Sequence, residues 1–373
     1  MNFGFTEEQE LLRSEVRKFL DENCPLEEVR RISESPEGFS RELWKQIAEL
    51  GWLGVTVPDE FGGAELGWVD LVVILEEAGR TLFPLPLIST TLAAAAIRES
   101  GSPEQRARWL PRIADGSAIG TLAFLEADDI QGAEGIRLRP AEGSVALRGE
   151  KLFVCDAGVA DLFVVALRSG DGPTELSLAV LERGAQGLST EDLPGVDLTK
   201  RLGRVRFDGV ELAPGALLGG AGRGGAAIAR LLDLGATAVA AEMVGAAEAA
   251  LQLTAQYAGE RVQFGHPIGT FQGVKHPLAE MYVDIESFKS LVYYAAWCLD
   301  EGHEDAALAA SRAKAYASDA FARIGLDAIQ LHGGIAYTWE YDAQLYLKRS
   351  KWARPAFGDA DHHYERVASL GGL

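Results

Sequence analysis

The chain has 373 residues, 47% hydrophobic and 24% charged, which is typical of a globular protein with two or three domains and a sizeable core. Its formal net charge of −20 argues against a nucleic-acid or anionic-membrane partner, although arginines can still bind phosphate locally. Three widely spaced cysteines (Cys24, Cys155 and Cys298) indicate reduced thiols and argue against a disulfide framework or a metal site. No segment has the apolar length of a signal peptide or a membrane span, so we expect a cytoplasmic protein.

The first third of the chain, residues 6–115, predicts helices. Thr6 and Gln9 have the spacing of a capping box, and apolar residues then recur at helical intervals. Proline and paired glycines predict a loop over residues 54–63. Further helices are predicted over residues 40–50, 68–81, 88–99 and 103–114.

The middle of the chain, from about residue 117 to 218, changes to short β-favouring runs. Gly, Asp and Pro separate these runs, which predicts an antiparallel β-barrel or sandwich. The runs cover residues 121–125, 137–139, 144–148, 162–167, 176–181 and 203–207. The glycine-rich stretch 219–225 predicts a flexible hinge, and it lacks the strand and helix context of a dinucleotide fingerprint.

The last third predicts helices again, near residues 225–259, 270–302, 304–333 and 337–368. Their lengths and short connections predict an up-and-down four-helix bundle. The predicted fold class is therefore α+β and multidomain. It has an N-terminal helical domain (1–116), a middle antiparallel β domain (117–222) and a C-terminal four-helix bundle (223–373).

The segment between the first two bundle helices carries a candidate binding site. Arg261, Phe264 and Gln272 lie around a Gly-Pro turn. They provide a guanidinium group, a flat apolar face and an amide, which are the groups that a dinucleotide's pyrophosphate and adenine need.

Several motifs in order along the chain resemble the acyl-CoA dehydrogenase family. They are the loop at residues 53–63, Glu-Glu-Ala-Gly at 76–79, Gly-Glu-Lys-Leu-Phe-Val at 149–154, the Arg261 segment, Gln-Leu-His-Gly-Gly at 330–334 and the segment 342–349. The resemblance covers essentially the whole chain and implies the three-part fold of that family. It also implies an FAD flavoprotein, in which the flavin accepts hydride from the β-carbon of an acyl-CoA thioester while a carboxylate removes the α-proton. An electron-transfer flavoprotein would be the electron acceptor.

The resemblance also implies which residues contact the adenine half of FAD. Arg261 would contact the pyrophosphate, Phe264 would pack on the adenosine, and Gln272 would form a hydrogen bond there. A second segment would let the backbone approach the diphosphate closely: Gln330, His332, Gly333 and Gly334. In the alternative interpretation, Arg261 and Gln272 only cap helices and the glycine pair only ends a helix. His332 fills a variable position of the motif and is interpreted chiefly as a polar turn residue.

The flavin-ring pocket departs from the family pattern. Residues 125–130 read Leu-Glu-Ala-Asp-Asp-Ile, where the family has Thr-Glu-Pro-x-Ala-Gly-Ser-Asp. Phe153-Val-Cys155 replaces a Trp-x-Thr element, so Phe153 could cover a ring but Cys155 is a weak donor. The alternative is a divergent β domain that holds no flavin.

The usual proton acceptor is missing as well. Phe357 occupies the usual position of the glutamate base, and Gly235 occupies the alternative position on the first bundle helix. Asp359 and Glu242 are the nearest acids and weak candidates for the base. The competing interpretation places Asp359 in a polar surface tail and pairs Glu242 with an arginine or a helix end. The adjacent histidines at 362 and 363 point in different directions on a helix, so we expect no metal site.

A good adenine clamp without a ring pocket or a base suggests one half of a shared site. This combination resembles the actinobacterial heterotetrameric (α₂β₂) acyl-CoA dehydrogenases, which act on CoA thioesters of bulky groups such as steroid side chains. A second acyl-CoA-dehydrogenase-like subunit would then supply the flavin ring pocket and the base. The alternatives are a self-sufficient homo-oligomeric dehydrogenase, a non-redox structural or interaction protein on the same fold, and a flavin monooxygenase.

Overall fold

The computed structural model describes residues 5–140, 145–172 and 175–373. Within them the chain forms eleven α-helices: α1 (Glu7–Asn23), α2 (Leu26–Glu34), α3 (Arg41–Glu49), α4 (Trp68–Arg80), α5 (Leu87–Ser100), α6 (Pro103–Ala114), α7 (Gly225–Glu260), α8 (Gln272–Asp300), α9 (Ala306–His332), α10 (Ala343–Ala353) and α11 (Ala360–Gly371). The same residues form nine strands: β1 (Gly120–Ala123), β2 (Ala146–Cys155), β3 (Leu162–Arg168), β4 (Leu176–Glu182), β5 (Leu188–Leu193), β6 (Leu202–Glu211), β7 (Leu217–Leu218), β8 (Val262–Gln263) and β9 (His266–Pro267). This order of helices, strands and helices confirms the predicted α+β fold class.

The chain divides into two compact units. The first contains the chain up to Arg31, Trp68–Phe83 and Ala236–Leu373, and the second contains Ile32–Gly67 and Pro84–Gly235. The three domains expected from the sequence, 1–116, 117–222 and 223–373, stay a prediction. Among the described helices, none combines the length and apolar character that crossing a bilayer requires.

The β region belongs to the second unit and forms two sheets. One has the strand order β1-β3-β4-β7 and the other has the order β2-β6-β5. The predicted antiparallel arrangement has one exception, because β1 and β3 run parallel, with Gly120 opposite Leu162. Six of the seven residues of β3 are buried, which explains its continuous apolar sequence.

The predicted strand at 137–139 is wrong. The backbone N–H groups of Arg137 and Leu138 donate to the carboxylate of Glu126, at 2.9 Å each, instead of to a neighbouring strand. Of the predicted strand at 144–148, Ser144 lies outside the described residues, Val145 is a bend, and residues 146–148 form the start of β2. The sequence interpretation missed β5, because alternate exposure at the edge of its sheet makes it polar.

The glycine-rich stretch after β7 is anchored to strand β4. The N–H of Gly222 donates to the Ser177 hydroxyl at 2.9 Å, and the N–H of Gly224 donates to the Leu176 carbonyl at 2.7 Å. A Cβ at Gly224 would lie 2.8 Å from the Ser177 backbone. The glycines therefore allow a close approach to the sheet, in contrast to the free hinge that the sequence predicted.

In the first unit, α9 packs against α8, α10 and α11. The single helix predicted over 337–368 is wrong, because the chain turns between α10 and α11. Pro355 has no backbone N–H to continue α10, and Phe357 and Gly358 adopt left-handed φ values of 57° and 99°. The missed helix α2 is a nine-residue amphipathic segment that buries Val29 and Ile32.

Helices α4 and α7 approach each other at glycines. A Cβ at Gly245 would lie 1.7 Å from the Glu76 carbonyl oxygen, and a Cβ at Gly79 would lie 2.0 Å from the Glu242 carbonyl oxygen. Beside this contact the buried Glu76 side chain accepts hydrogen bonds from Arg13 at 2.5 Å and from the Tyr293 hydroxyl at 2.6 Å. Close backbone packing and charge pairing therefore fix α1, α4, α7 and α8 together.

Candidate cofactor-binding site

The hairpin after α7 projects a cation and an aromatic ring into solvent. Phe264 and Gly265 form its two-residue turn, with φ values of 54° and 81°, as expected for a tight hairpin. Phe264 is 92% exposed, and it meets Phe271 edge to face with ring centroids 6.2 Å apart. The Phe264 ring therefore offers an apolar face to solvent.

Arg261 and Gln272 lie at the two ends of this hairpin segment. Arg261 follows α7 and its N–H donates to the Tyr257 carbonyl at 2.8 Å, while Gln272 is the first residue of α8. Both side chains are exposed, and neither forms a hydrogen bond or ion pair with any residue of the described chain. The alternative that these side chains only cap helices therefore finds no support in the described contacts.

The end of α9 presents bare backbone. Gly333 ends the helix with a φ of 67°, where side chains are disfavoured, and Gly334 follows in a short 3₁₀ turn. A Cβ added at either glycine would meet no atom within 4 Å, so the backbone there is open to a ligand. Gln330, one turn earlier, is exposed.

His332 corrects the sequence interpretation. The residue is 4% exposed, so it is buried and is not a polar residue at the surface of the turn, while its contact with a cofactor stays a prediction. The ring lies against Tyr257 and Tyr341, with centroid distances of 4.6 and 5.0 Å, and Nδ1 lies 2.6 Å from the Ala328 carbonyl oxygen. Burial lowers the pKa of His332, while the carbonyls of Ala328 and Leu253 act in the opposite direction. Because Tyr257 is one turn before Arg261, this packing brings the Arg261 hairpin and the Gly333–Gly334 turn to the same end of the unit.

A pocket of about 640 Å³ opens beside Gln330, within the range of small-molecule sites. Ile329, Tyr337, Trp339 and Lys348 contribute to its lining. The Lys348 Nζ lies 4.5 Å from the Trp339 ring centroid. The pocket therefore combines apolar and aromatic walls with an amide and a cation.

No proton acceptor stands at either expected base position. Phe357 is part of the turn between α10 and α11, and Gly235 lies within α7. Asp359 is the N-cap of α11, and its carboxylate accepts the His362 N–H at 2.9 Å. Asp359 therefore stabilises a helix end.

Glu242, the second candidate acid, is buried and pairs with a buried arginine. Arg349 Nη1 lies 3.3 Å from a Glu242 carboxylate oxygen, and Arg349 Nη2 donates to the Leu82 carbonyl at 3.1 Å. Both side chains are at most 3% exposed. This confirms the interpretation that Glu242 meets an arginine.

A buried lysine and a buried histidine hold the turn that contains Phe357. Lys314 Nζ donates to the Ser318 hydroxyl and to the carbonyls of Arg354 and Gly358, at 2.7–2.9 Å. His363 Nε2 lies 2.9 Å from the Phe357 carbonyl oxygen. Burial lowers the pKa of Lys314 to about 7, against the attraction of Asp359, and burial lowers the pKa of His363 to about 3. Sequence reasoning missed Lys314, and no local pattern marks it.

The divergent segment of the β region is organised around a glutamate. The Glu126 carboxylate accepts a hydrogen bond from the buried Lys151 at 2.6 Å, in addition to the two backbone N–H groups described above. Phe153, two residues after Lys151, adopts a φ of 53° and is 42% exposed. The segment 125–130 therefore uses its carboxylate to fix its own loop. Within the described residues, no three His, Cys, Asp or Glu side chains cluster in a way that could hold a metal ion.

Comparisons with known proteins agree over the whole chain. Residues 6–117 match the model of the acyl-CoA dehydrogenase N-terminal domain, and residues 222–370 match that of the C-terminal domain. The acyl-CoA dehydrogenase IpdE2 of Mycolicibacterium smegmatis is 33% identical, over 97% of this chain and 98% of the relative. A variant of the steroid ACAD Tcur3481-Tcur3483 superposes with a TM-score of 0.88 and 33% identity, covering 98% of each chain. The ChsE4-ChsE5 complex from Mycobacterium tuberculosis superposes with a TM-score of 0.90 and 26% identity, covering 100% of this chain and 99% of the other.

Proposed function

This chain belongs to the acyl-CoA dehydrogenase family, and from that premise we propose that it is a subunit of an FAD-dependent acyl-CoA dehydrogenase. It contributes the adenine and pyrophosphate half of the FAD site and leaves the base to another chain. The observation that carries the proposal is the exposed clamp of Arg261, Phe264 and Gln272, whose polar side chains have no partner among the described residues, in a chain with Phe357 at the usual base position.

The clamp residues fit the anionic half of FAD. Within the described chain the Arg261 guanidinium has no carboxylate partner, so it can bind a phosphate with two parallel hydrogen bonds. Gly333 and Gly334 offer backbone without Cβ atoms where a diphosphate would approach. The nearly fully exposed Phe264 ring offers a flat apolar face to adenosine.

The chemistry of the side chains indicates which role each subunit would have. Bound FAD supplies the acceptor for the hydride that leaves the β-carbon of the acyl thioester. The α-proton needs a carboxylate, yet Glu242 is paired with Arg349 and Asp359 caps α11. This chain therefore binds and orients the cofactor, while a second acyl-CoA-dehydrogenase-like subunit supplies the base and the flavin-ring contacts.

The solved structures named above support an unlike partner and a bulky substrate. One of them is a complex of ChsE4 with ChsE5, and another is a steroid ACAD. We propose a heterotetramer that desaturates the CoA thioester of a bulky, steroid-type acyl group and passes its electrons to an electron-transfer flavoprotein.

The test is to purify the chain alone and together with a co-expressed second subunit of the family, and to measure bound flavin and acyl-CoA-dependent dye reduction. We expect flavin and turnover only in the two-chain assembly. Stoichiometric FAD and acyl-CoA oxidation by the lone chain would contradict the proposal and favour a self-sufficient homo-oligomer. Absence of FAD from every assembly would favour a non-redox interaction protein.

A matched pair of variants tests the clamp within that assembly. Arg261→Gln removes the guanidinium and should weaken FAD binding about ten- to hundredfold, the range expected for a charged hydrogen bond. Arg312→Gln, an exposed arginine of α9, is the control and should leave the FAD dissociation constant unchanged.

A further inference from the structure

Three rings from separate segments of the first unit form a packed cluster, the Tyr257–His332–Tyr341 cluster. The His332 ring is tilted by 32° against Tyr257 and by 60° against Tyr341, and the two tyrosine rings meet edge to face at 6.3 Å. His332 is buried, whereas the tyrosines are half-buried. The histidine is therefore the centre of the cluster.

The three rings come from segments next to the Arg261 hairpin, the Gly333–Gly334 turn and the start of α10. Tyr257 lies in the last turn of α7, and its carbonyl accepts the N–H of Arg261. His332 is the last residue of α9 and directly precedes Gly333, and Tyr341 lies just before α10. The cluster therefore joins the hairpin that carries the arginine to the turn that offers bare backbone.

The histidine also fixes its own orientation. Its Nδ1–H donates to the carbonyl of Ala328, one turn earlier on α9, at 2.6 Å. This bond fixes the orientation of the His332 ring relative to α9. The Tyr257 ring packs on that ring, so its position depends on where α9 ends. A shift of the ring would move the Arg261 hairpin relative to the glycine turn.

We propose that His332 is a positioning residue for the adenine and diphosphate half of the cofactor site, acting by holding Arg261 and the Gly333–Gly334 turn at the spacing of a diphosphate. The inference rests on the proposed function. Because His332 is 4% exposed, we expect it to act on the cofactor through Arg261 and the glycine turn and not by direct contact. Its contribution is to the geometry of the groups that do.

The experiment uses the FAD-binding assembly and three variants of this chain. His332→Ala removes the ring, His332→Phe keeps a flat ring without the N–H donor, and Ile324→Ala removes a buried side chain two turns earlier on α9. Dissociation constants are measured for FAD and for ADP, which carries the adenine and diphosphate without the flavin ring. Thermal unfolding of each variant is followed in parallel.

We expect His332→Ala to raise the dissociation constants of FAD and of ADP by the same factor, about tenfold, equivalent to 1.4 kcal/mol. His332→Phe should recover part of that loss because stacking on Tyr257 and Tyr341 remains. Ile324→Ala should lower the melting temperature while leaving both dissociation constants unchanged.

Three results would overturn the inference. They are unchanged affinity for FAD and ADP in His332→Ala, a loss of affinity for FAD but not for ADP, and an equal loss of affinity in Ile324→Ala. The last result would indicate a general effect of lowered stability. A wild-type assembly that binds neither FAD nor ADP would instead overturn the proposed function, and the inference with it.

Discussion

Individual side chains decide which acids of this chain are available for proton transfer. Glu242 is buried against Arg349, and Asp359 accepts a backbone N–H at the start of α11. A carboxylate that already neutralises a buried cation, or that caps a helix, loses stabilising contacts when it accepts a proton. The contacts of these two carboxylates therefore support the proposal that another chain supplies the base.

Buried His363 makes the stability of the protein sensitive to acid. Burial and the nearby Lys314 hold its pKa at about 3, below its ordinary value near 6.5, so the unfolded chain takes up the proton first. The stabilising contribution is present above about pH 6.5 and is lost as the pH falls toward 3. We expect the free energy of unfolding to fall by about 2 kcal/mol between pH 7 and pH 5 from this group. Urea unfolding at several pH values measures it.

His363→Gln is the matched variant for that experiment, because it keeps an N–H donor for the Phe357 carbonyl but cannot titrate in this range. The variant should show a shallower decline of stability between pH 7 and pH 5 than the wild type. An identical decline in both proteins would show that His363 does not carry the effect.

At the scale of elements, glycines allow α7 and α4 to pack closely. Gly245→Ala would place a methyl group 1.7 Å from the Glu76 carbonyl oxygen, so the helices must separate. We expect a loss of about 3 kcal/mol or more in the free energy of unfolding, because backbone cannot move aside as a flexible side chain can. Chemical denaturation measures the loss.

Gly259→Ala in the same helix is the control. Gly259 is exposed, and a Cβ there meets no atom within 4 Å. Alanine should stabilise this position by about 0.5–1 kcal/mol through its higher helix propensity. Equal destabilisation by both substitutions would attribute the effect to the helix itself and would contradict the packing argument.

The turn between α10 and α11 determines where Phe357 lies. Pro355 and Gly358 are sequence signals for a break, and both lie inside the helix predicted over 337–368. The three hydrogen bonds from Lys314 then fix the turn in space. Phe357, which the family resemblance aligns with the glutamate base, is held there in a left-handed conformation.

At the scale of the whole molecule, the hairpin and the glycine turn expose apolar side chains that an isolated chain would rarely keep in water. Val262 is 52% exposed, Ile335 42% and Tyr337 81%, in addition to Phe264. We expect a second subunit and FAD to cover them. Amide hydrogen exchange in residues 261–272 and 330–337 should therefore slow when the two-chain assembly binds FAD.

The lone chain with added FAD is the control and should keep fast exchange in both segments. Unchanged exchange in the FAD-loaded assembly would show that these segments are not part of the shared site.

Much of this organisation could be predicted from local patterns. Capping residues and apolar periodicity indicated most helices. Residue type and spacing singled out Arg261, Phe264 and Gln272, and the family resemblance added the glycine pair; these site residues stay a prediction. One of the errors arose where a distant side chain takes the bonds that a strand would use. Residues 137–139 have strand-like sequence, but the Glu126 carboxylate takes two of their backbone N–H groups.

The sequence by itself determined the succession of a helical, a β and a second helical region and the absence of a carboxylate at Phe357 and Gly235, because these depend on residue identity and short-range periodicity. It also suggested Arg261, Phe264 and Gln272 as a cofactor clamp, which stays a prediction. Only the tertiary structure decided that Arg349 forms an ion pair with Glu242, that Lys314 donates hydrogen bonds to the turn containing Phe357 and that His332 lies buried between two tyrosines. Most of these contacts join residues far apart along the chain. Their pairing depends on how the helices pack, which no local pattern encodes.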